Sequence, residues 1–199
     1  MNRFTLDSGH IYRLDGNIVP GYSQIIKELA LSDYSHVPQA IMDAASLFGD
    51  AAHKACELDD LGTLDMDTLS APLLPYLQGW ANFKEDYKAI VIPEWVERVS
   101  GSVRWRFGCK SDRVFDFPIG LGVVEIKTTT TILPSIALQT AAHKIVFEEE
   151  TKQKIKVRYA VQLDPEAPMG YRIKEFKNKS DEETFICARK LYAWKKENL

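Results

Sequence analysis

The spacing of hydrophobic positions changes along the chain, and each change marks an element. From Gln39 to Asp59, residues Ile41, Ala44, Ala45, Phe48, Ala52, Ala55, Cys56 and Asp59 recur at steps of three and four, the pattern of an amphipathic helix. A second helix is expected after Pro72 and Pro75, running to about Lys88. Between Trp95 and Thr130 the chain turns rich in Val, Trp, Phe and Ile, with breaks at Ser100-Gly101-Ser102 and Pro118-Ile119-Gly120, which reads as three strands joined by hairpin turns. Helical spacing returns from Pro134 to Glu149 in Ile136, Gln139, Thr140, His143, Val146 and Phe147. Two more strands, Lys154 to Leu163 and Gly170 to Phe176, flank a Pro-Glu-Ala-Pro-Met-Gly turn. A last helix, Asp181 to Lys196, follows a Ser180 cap, with acids in its first turn and lysines in its last. This order predicts an α/β fold with a mixed central β-sheet flanked by helices.

Composition narrows the picture. With 199 residues, 45% of them hydrophobic, the chain can bury one substantial core, and no linker interrupts it, so residues 1–199 are expected to form a single domain. No apolar run reaches the roughly 18 residues a membrane span needs, and Met1 to His10 lacks the build of a secretory signal. A soluble, cytoplasmic protein with no membrane partner is expected. The three cysteines, Cys56, Cys109 and Cys187, lie far apart and in no CxxC pair, which argues against a disulfide framework, a zinc site or an iron-sulfur cluster. Charge is uneven: Thr151 to Leu199 holds 12 Lys and Arg against 7 Asp and Glu, while the preceding 150 residues hold 13 against 21. A net charge of -3 argues by itself against a protein that coats nucleic acid by sheer positive charge. The asymmetry fits a phosphate backbone lying along one basic face, and fits ordinary solvated surface equally well.

Candidate chemistry concentrates between Gly108 and Thr131. In the strand Val123-Val124-Glu125-Ile126-Lys127-Thr128, Glu125 and Lys127 share one face while Val124, Ile126 and Thr128 take the other. Asp112 and Glu125 are equally far from the Pro118-Ile119 midpoint, so a hairpin turning there sets them opposite each other. Two carboxylates can hold a hard cation that also takes phosphate oxygens, and a lysine beside them can orient a water or offset developing charge. An isolated Glu-x-Lys is common as an exposed ion pair of little consequence. Here Val123, Val124 and Ile126 place it on a buried strand, where charges without a task are costly.

These residues resemble the PD-(D/E)XK nuclease motif, with Asp112 as its aspartate and Glu125-Ile126-Lys127 as its (D/E)XK. Upstream, Gly49-Asp50-Ala51-Ala52-His53 resembles the GxxxH helix motif of the RecB-like and phage recombination exonuclease branch, with Glu57 one turn on. The absent side chain at Gly49 is expected to admit another backbone. Downstream, Gln139 to His143 resembles the QxxxY motif, with His143 where tyrosine is usual. Cys109 stands where the family usually has glycine, although Gly108 is adjacent, and Glu97, with Glu94 as the alternative, takes the place of an acidic residue often found on the preceding strand, with no role assigned to it. His10 to Pro20 resembles the lead-in of phage members, and Lys156 to Phe176 and Phe185 to Trp194 resemble their C-terminal ends.

The resemblance implies a restriction-endonuclease-like core and a Mg2+ or Mn2+ dependent deoxyribonuclease yielding 5'-phosphate and 3'-hydroxyl ends. It implies His53, Asp112, Glu125 and the carbonyl of Ile126 as metal ligands, Lys127 as the group positioning the attacking water, and Gln139 and His143 as substrate contacts. A DNA substrate with a free end is expected, in recombination or repair in a bacterial or phage-infected cell. A single-strand annealing or DNA-binding protein is a candidate partner, and oligomerisation is open. Alternatives are a structure-selective or single-strand endonuclease of the same superfamily, and a nonenzymatic DNA-binding subunit.

Overall fold

The chain reverses at an exposed Pro118-Ile119 turn. The computed structural model describes residues 3–31 and 37–199; Met1 and Asn2, where the stretch read for a secretory signal begins, fall outside them. In chain order the elements are β1 (Phe4–Leu6), β2 (Tyr12–Leu14), β3 (Asn17–Val19), α1 (Tyr22–Glu28), α2 (Gln39–Asp60), α3 (Leu74–Tyr87), β4 (Ile90–Val91), β5 (Arg98–Ser102), β6 (Phe107–Ser111), β7 (Arg113–Phe117), β8 (Gly120–Lys127), α4 (Ser135–Thr151), β9 (Val157–Leu163), β10 (Tyr171–Glu175) and α5 (Asp181–Asn198), with short 3-10 turns before α3 and β5.

The main sheet has the order β10-β9-β8-β7-β4, parallel between β8 and β9 and antiparallel elsewhere. A parallel step needs a crossover, and α4 provides it. β5 and β6 form a hairpin, and β1 to β3 a small antiparallel meander. The expected mixed sheet flanked by helices, in one α/β domain, is therefore present.

Both faces of the sheet are covered, which is why Val123-Val124 can be an unbroken apolar pair. Val114 and Val123 join Ile25 of α1, Phe147 of α4 and Phe185 of α5 in one core. Phe115, Val124 and Ile126 join Cys56 of α2 and Trp80 and Phe83 of α3 in the other. Phe83 is fully enclosed, its ring centre 5.3 Å from Trp80 and 6.2 Å from Phe115. Each such side chain stabilises the fold by roughly 1.5–3 kcal/mol. α3 rests directly on the turn between β9 and β10, since a Cβ at Gly79 would lie 2.1 Å from the Gly170 carbonyl oxygen. Cys56 and Cys109 are buried free thiols, and Cys187 is an exposed one.

Several local expectations change. Ser100-Gly101-Ser102 is strand, not turn, and the chain reverses at residues 103–106, giving four strands where three were expected. The small residues serve packing: a Cβ on Gly101 would meet the Phe107 carbonyl oxygen at 2.4 Å and the Phe4 ring at 2.4 Å. On α2 the residue turned inward is Asp60 rather than Asp59, and the apolar stripe is buried only from Ala52 onward, while Ile41 and Leu47 stay exposed. Ser180 precedes α5 but makes no side-chain cap, because its hydroxyl donates to Asn178 Oδ1. The acids and lysines at the two ends of α5 lie as expected. No helix of the described residues is long and apolar enough to cross a membrane.

Candidate functional site

The β7–β8 hairpin pairs Phe117 with Gly120 and continues to Arg113 with Val124, so the next step sets Asp112 across from Glu125, as the spacing predicted. Both carboxylates are buried. Asp112 Oδ2 accepts the Ile126 backbone N–H at 2.8 Å, which ties the aspartate to the far strand. Alternation along β8 turns Glu125 and Lys127 to one side, and Lys127 Nζ donates to Glu125 Oε1 at 2.6 Å. The same oxygen accepts from Gln139 Nε2 of α4 at 2.6 Å. One turn along α4, buried His143 brings Nδ1 to 3.5 Å from Glu125 Oε2. Among the described residues, neither of these two atoms has a hydrogen-bond partner.

α2 delivers His53 from the opposite direction. Its Nε2 lies 3.2 Å from the Ile126 carbonyl oxygen, and its Nδ1 lies 3.6 Å from Asp112 Oδ1 and 3.7 Å from Glu97 Oε1. Gly49, one turn earlier, has no backbone against it; a Cβ there would meet only the Thr128 hydroxyl, at an ordinary 3.5 Å. Glu57 turns to Lys54, 2.8 Å away. The structure thus gathers His53, Asp112, Glu125, Ile126, Lys127, Gln139 and His143 at one end of β8.

Behind them lies an ion-pair network of Glu97, Lys110, Arg113 and Asp60 that no motif in the sequence marks. Glu97, in the left-handed region at φ 49°, sends one carboxylate oxygen to Arg113 at 2.8 Å and the other to Lys110 at 2.6 Å. Arg113 is completely buried and donates also to Asp60 Oδ2 at 2.5 Å and to the Asp112 carbonyl at 2.6 Å. Asp60 accepts further from Trp80 Nε1 and Lys84 Nζ. One arginine therefore joins the end of α2, the start of β7 and Glu97. A sequence signal existed for Asp60, which follows His53 and Cys56 at helical steps of three and four. Nothing local announces the left-handed turn that aims Glu97.

Electrostatics follow from this crowding of acids. Burial opposes a proton on His53, but Asp112, Glu97 and Glu125 outweigh it and raise the imidazole to about 9. Burial, then the neighbouring Asp112 charge, push Glu125 well above the usual carboxylate range against the pull of Lys127. Burial likewise opposes ionisation of Glu97, yet His53, Lys110 and Arg113 hold it well below that range. His143, enclosed, is lowered to about 4 and is neutral at pH 7.

His53, Glu97 and Asp112 offer three donor atoms within 4.8 Å of one another, a set that could hold a metal ion. Two carboxylates and one imidazole are donors of the kind that bind divalent cations. Glu125 Oε2, buried with its lone pairs unmatched, is a further unused acceptor beside them. The group opens into a cleft of about 1360 Å³ bordered by Tyr22, Ile41, His53, Lys110, the Thr128–Thr131 run and Gln139. No family model and no curated protein matches the chain.

Proposed function

We propose that this chain is a metal-dependent deoxyribonuclease of the PD-(D/E)XK superfamily, built on a restriction-endonuclease-like core and acting as an exonuclease of the RecB-like and phage recombination branch. The observation that carries the reading is the convergence of Asp112, Glu125 and Lys127 on adjoining strands beside the His53–Glu97–Asp112 donors, at the wall of an open cleft.

In this reading His53, Asp112 and Glu97, with Glu125 and the Ile126 carbonyl bordering them, hold Mg2+ or Mn2+. A bound cation supplies Lewis acidity to the phosphoryl oxygens and a more acidic water. Lys127, whose ammonium is held by Glu125, would orient an attacking water and offset the negative charge that develops on the phosphoryl group. Gln139 holds Glu125 Oε1 from the other side, so the carboxylate presents its second oxygen in one fixed direction. Enclosed and uncharged, His143 packs behind Glu125 without adding a cation. It stands where the family that the chain resembles usually has tyrosine. The Thr128–Thr131 segment offers hydroxyls along the cleft wall to a sugar-phosphate backbone.

Digestion of linear and covalently closed circular DNA with Mg2+ or Mn2+ tests the mode of action. Loss of linear DNA with circles spared is the expected result. Cutting of circles instead assigns the same site to an endonuclease.

A further inference from the structure

The cleft leaves unused a stretch in which arginine alternates with tryptophan, Arg104-Trp105-Arg106, at the tip of the β5–β6 hairpin. The tip is held in shape from behind. Glu149 of α4 accepts the backbone N–H groups of Val103 at 2.8 Å and Arg104 at 3.0 Å, and the Ser102 hydroxyl accepts that of Trp105 at 2.9 Å. Arg106 sits in the left-handed region at φ 51°, a conformation a side-chain-bearing residue rarely adopts.

α5 adds two more cations. Lys190 Nζ lies 5.4 Å from the Trp105 ring centre and the Arg104 guanidinium 4.8 Å, while Arg189 Nε donates to the Arg106 carbonyl at 3.2 Å. Neighbouring cations are neutralised, Arg98 by Glu150 and Lys195 and Lys196 by Glu28. Arg104, Arg106, Arg189 and Lys190 form no such pair among the described residues. Asp15, whose carboxylate also feels the charge of Arg106, is ion-paired with Arg3. Burial, and then the like charge of Arg106, lower the proton affinity of Arg189, while Tyr192 and Glu197 act the other way. One helical turn beyond Lys190, Trp194 is 55% exposed. The seven-residue α1 bridges this patch and the cleft, since Tyr22 and Ser23 line the cleft while Glu28 holds α5.

We infer that the β5–β6 tip and the adjoining face of α5 bind single-stranded DNA outside the cleft. Arg104, Arg106, Arg189 and Lys190 take phosphates, and Trp194 stacks on an unpaired base. Cations outside any ion pair beside an exposed indole suit a flexible polyanion with accessible ring faces, and a duplex hides those faces. The choice of DNA rests on the nuclease reading of the cleft; the preference for a single-stranded polyanion rests on the patch alone.

Fluorescence anisotropy of a labelled oligothymidylate, titrated with the whole protein in EDTA so that nothing is hydrolysed, tests this. Wild type binds, and its affinity falls by about tenfold or more between ~50 and ~200 mM salt. Arg106→Glu with Lys190→Glu lowers affinity by at least about tenfold, and so does Trp194→Ala. Arg106→Lys with Lys190→Arg, and Trp194→Phe, retain binding. Matching thermal melts establish that the variants fold; should the charge-reversed pair unfold, Trp194→Ala against Trp194→Phe decides alone. Absence of wild-type binding at low salt, equal binding by the charge-reversed and Trp194→Ala proteins, or loss of binding on Lys127→Ala in place of these overturns the inference. Patch-dependent binding by a protein that cleaves no DNA with Mg2+ leaves the inference standing and removes only the nuclease reading.

Discussion

Replacing Arg113 by methionine tests how the site is held together. The guanidinium has no solvent exposure and donates to Asp60, Glu97 and the Asp112 carbonyl at 2.5, 2.8 and 2.6 Å. Methionine keeps much of the volume beside Trp80 and removes every donor. Breaking a buried ion pair from one side destabilises by about 3–5 kcal/mol, because the partner charges stay buried. Asp60 keeps Trp80 and Lys84, and Glu97 keeps Lys110, so the lower end of that range, about 3 kcal/mol, is expected. For a chain of this size that corresponds to a fall of about 6–12 °C in melting temperature. Urea unfolding in EDTA, followed by tryptophan fluorescence, gives the value directly. Adding Asp60→Asn should recover part of the loss, since one stranded charge disappears, and the two substitutions should therefore be non-additive. A loss below about 1 kcal/mol, the range of an exposed pair, refutes the argument, as does strict additivity.

Glu125→Gln should make the metal-free protein more stable at pH 8, by roughly 1 kcal/mol or more, since each tenfold change in acidity is worth about 1.4 kcal/mol. The sign follows from the raised pKa of Glu125: its contribution is fully present below the unfolded value of 4.5 and is lost as pH rises through the higher folded value. The difference from wild type should vanish near pH 4.5, and denaturant melts at the two pH values check it; a destabilised variant at pH 8 contradicts it. Mn2+ affinity should rise by up to about tenfold per pH step between pH 7 and 9 and then level, because His53, raised to about 9, must lose its proton to act as a ligand. Calorimetric titrations across that range measure the effect, and His53→Ala should flatten it. Gly79→Ala should destabilise the fold by about 2 kcal/mol or more, because its Cβ would strike the Gly170 carbonyl at 2.1 Å and force α3 off the β9–β10 turn; an unchanged melting temperature contradicts that packing.

What the sequence made legible was whatever depends on local period. The 118–119 turn fixes the β7–β8 register by counting alone, and the two-residue alternation of β8 then separates Glu125 and Lys127 from Val124 and Ile126. Helical steps likewise turn His53 of α2 toward the Ile126 carbonyl and Gln139 of α4 toward Glu125. Ser100-Gly101-Ser102 was misread because small residues mark both turns and close packing, and only the Phe4 and Phe107 partners reveal which. Glu97, Lys110, Arg113 and Asp60 come from three separate stretches of chain, joined by ion pairs that leave no periodic trace. The expected close backbone approach at Gly49 failed because a threonine side chain, rather than backbone, faces it.

The central claim is that the groups at the end of β8 hydrolyse DNA with a bound metal. The most direct measurement is cleavage of end-labelled linear duplex in Mg2+, Mn2+ or EDTA by wild type, Lys127→Ala and Glu125→Ala, each first shown to melt like a folded protein. The account predicts metal-dependent cleavage by wild type and a loss of about 10²-fold or more in either variant. Cleavage that persists in EDTA, or that both variants retain at the wild-type rate, contradicts it.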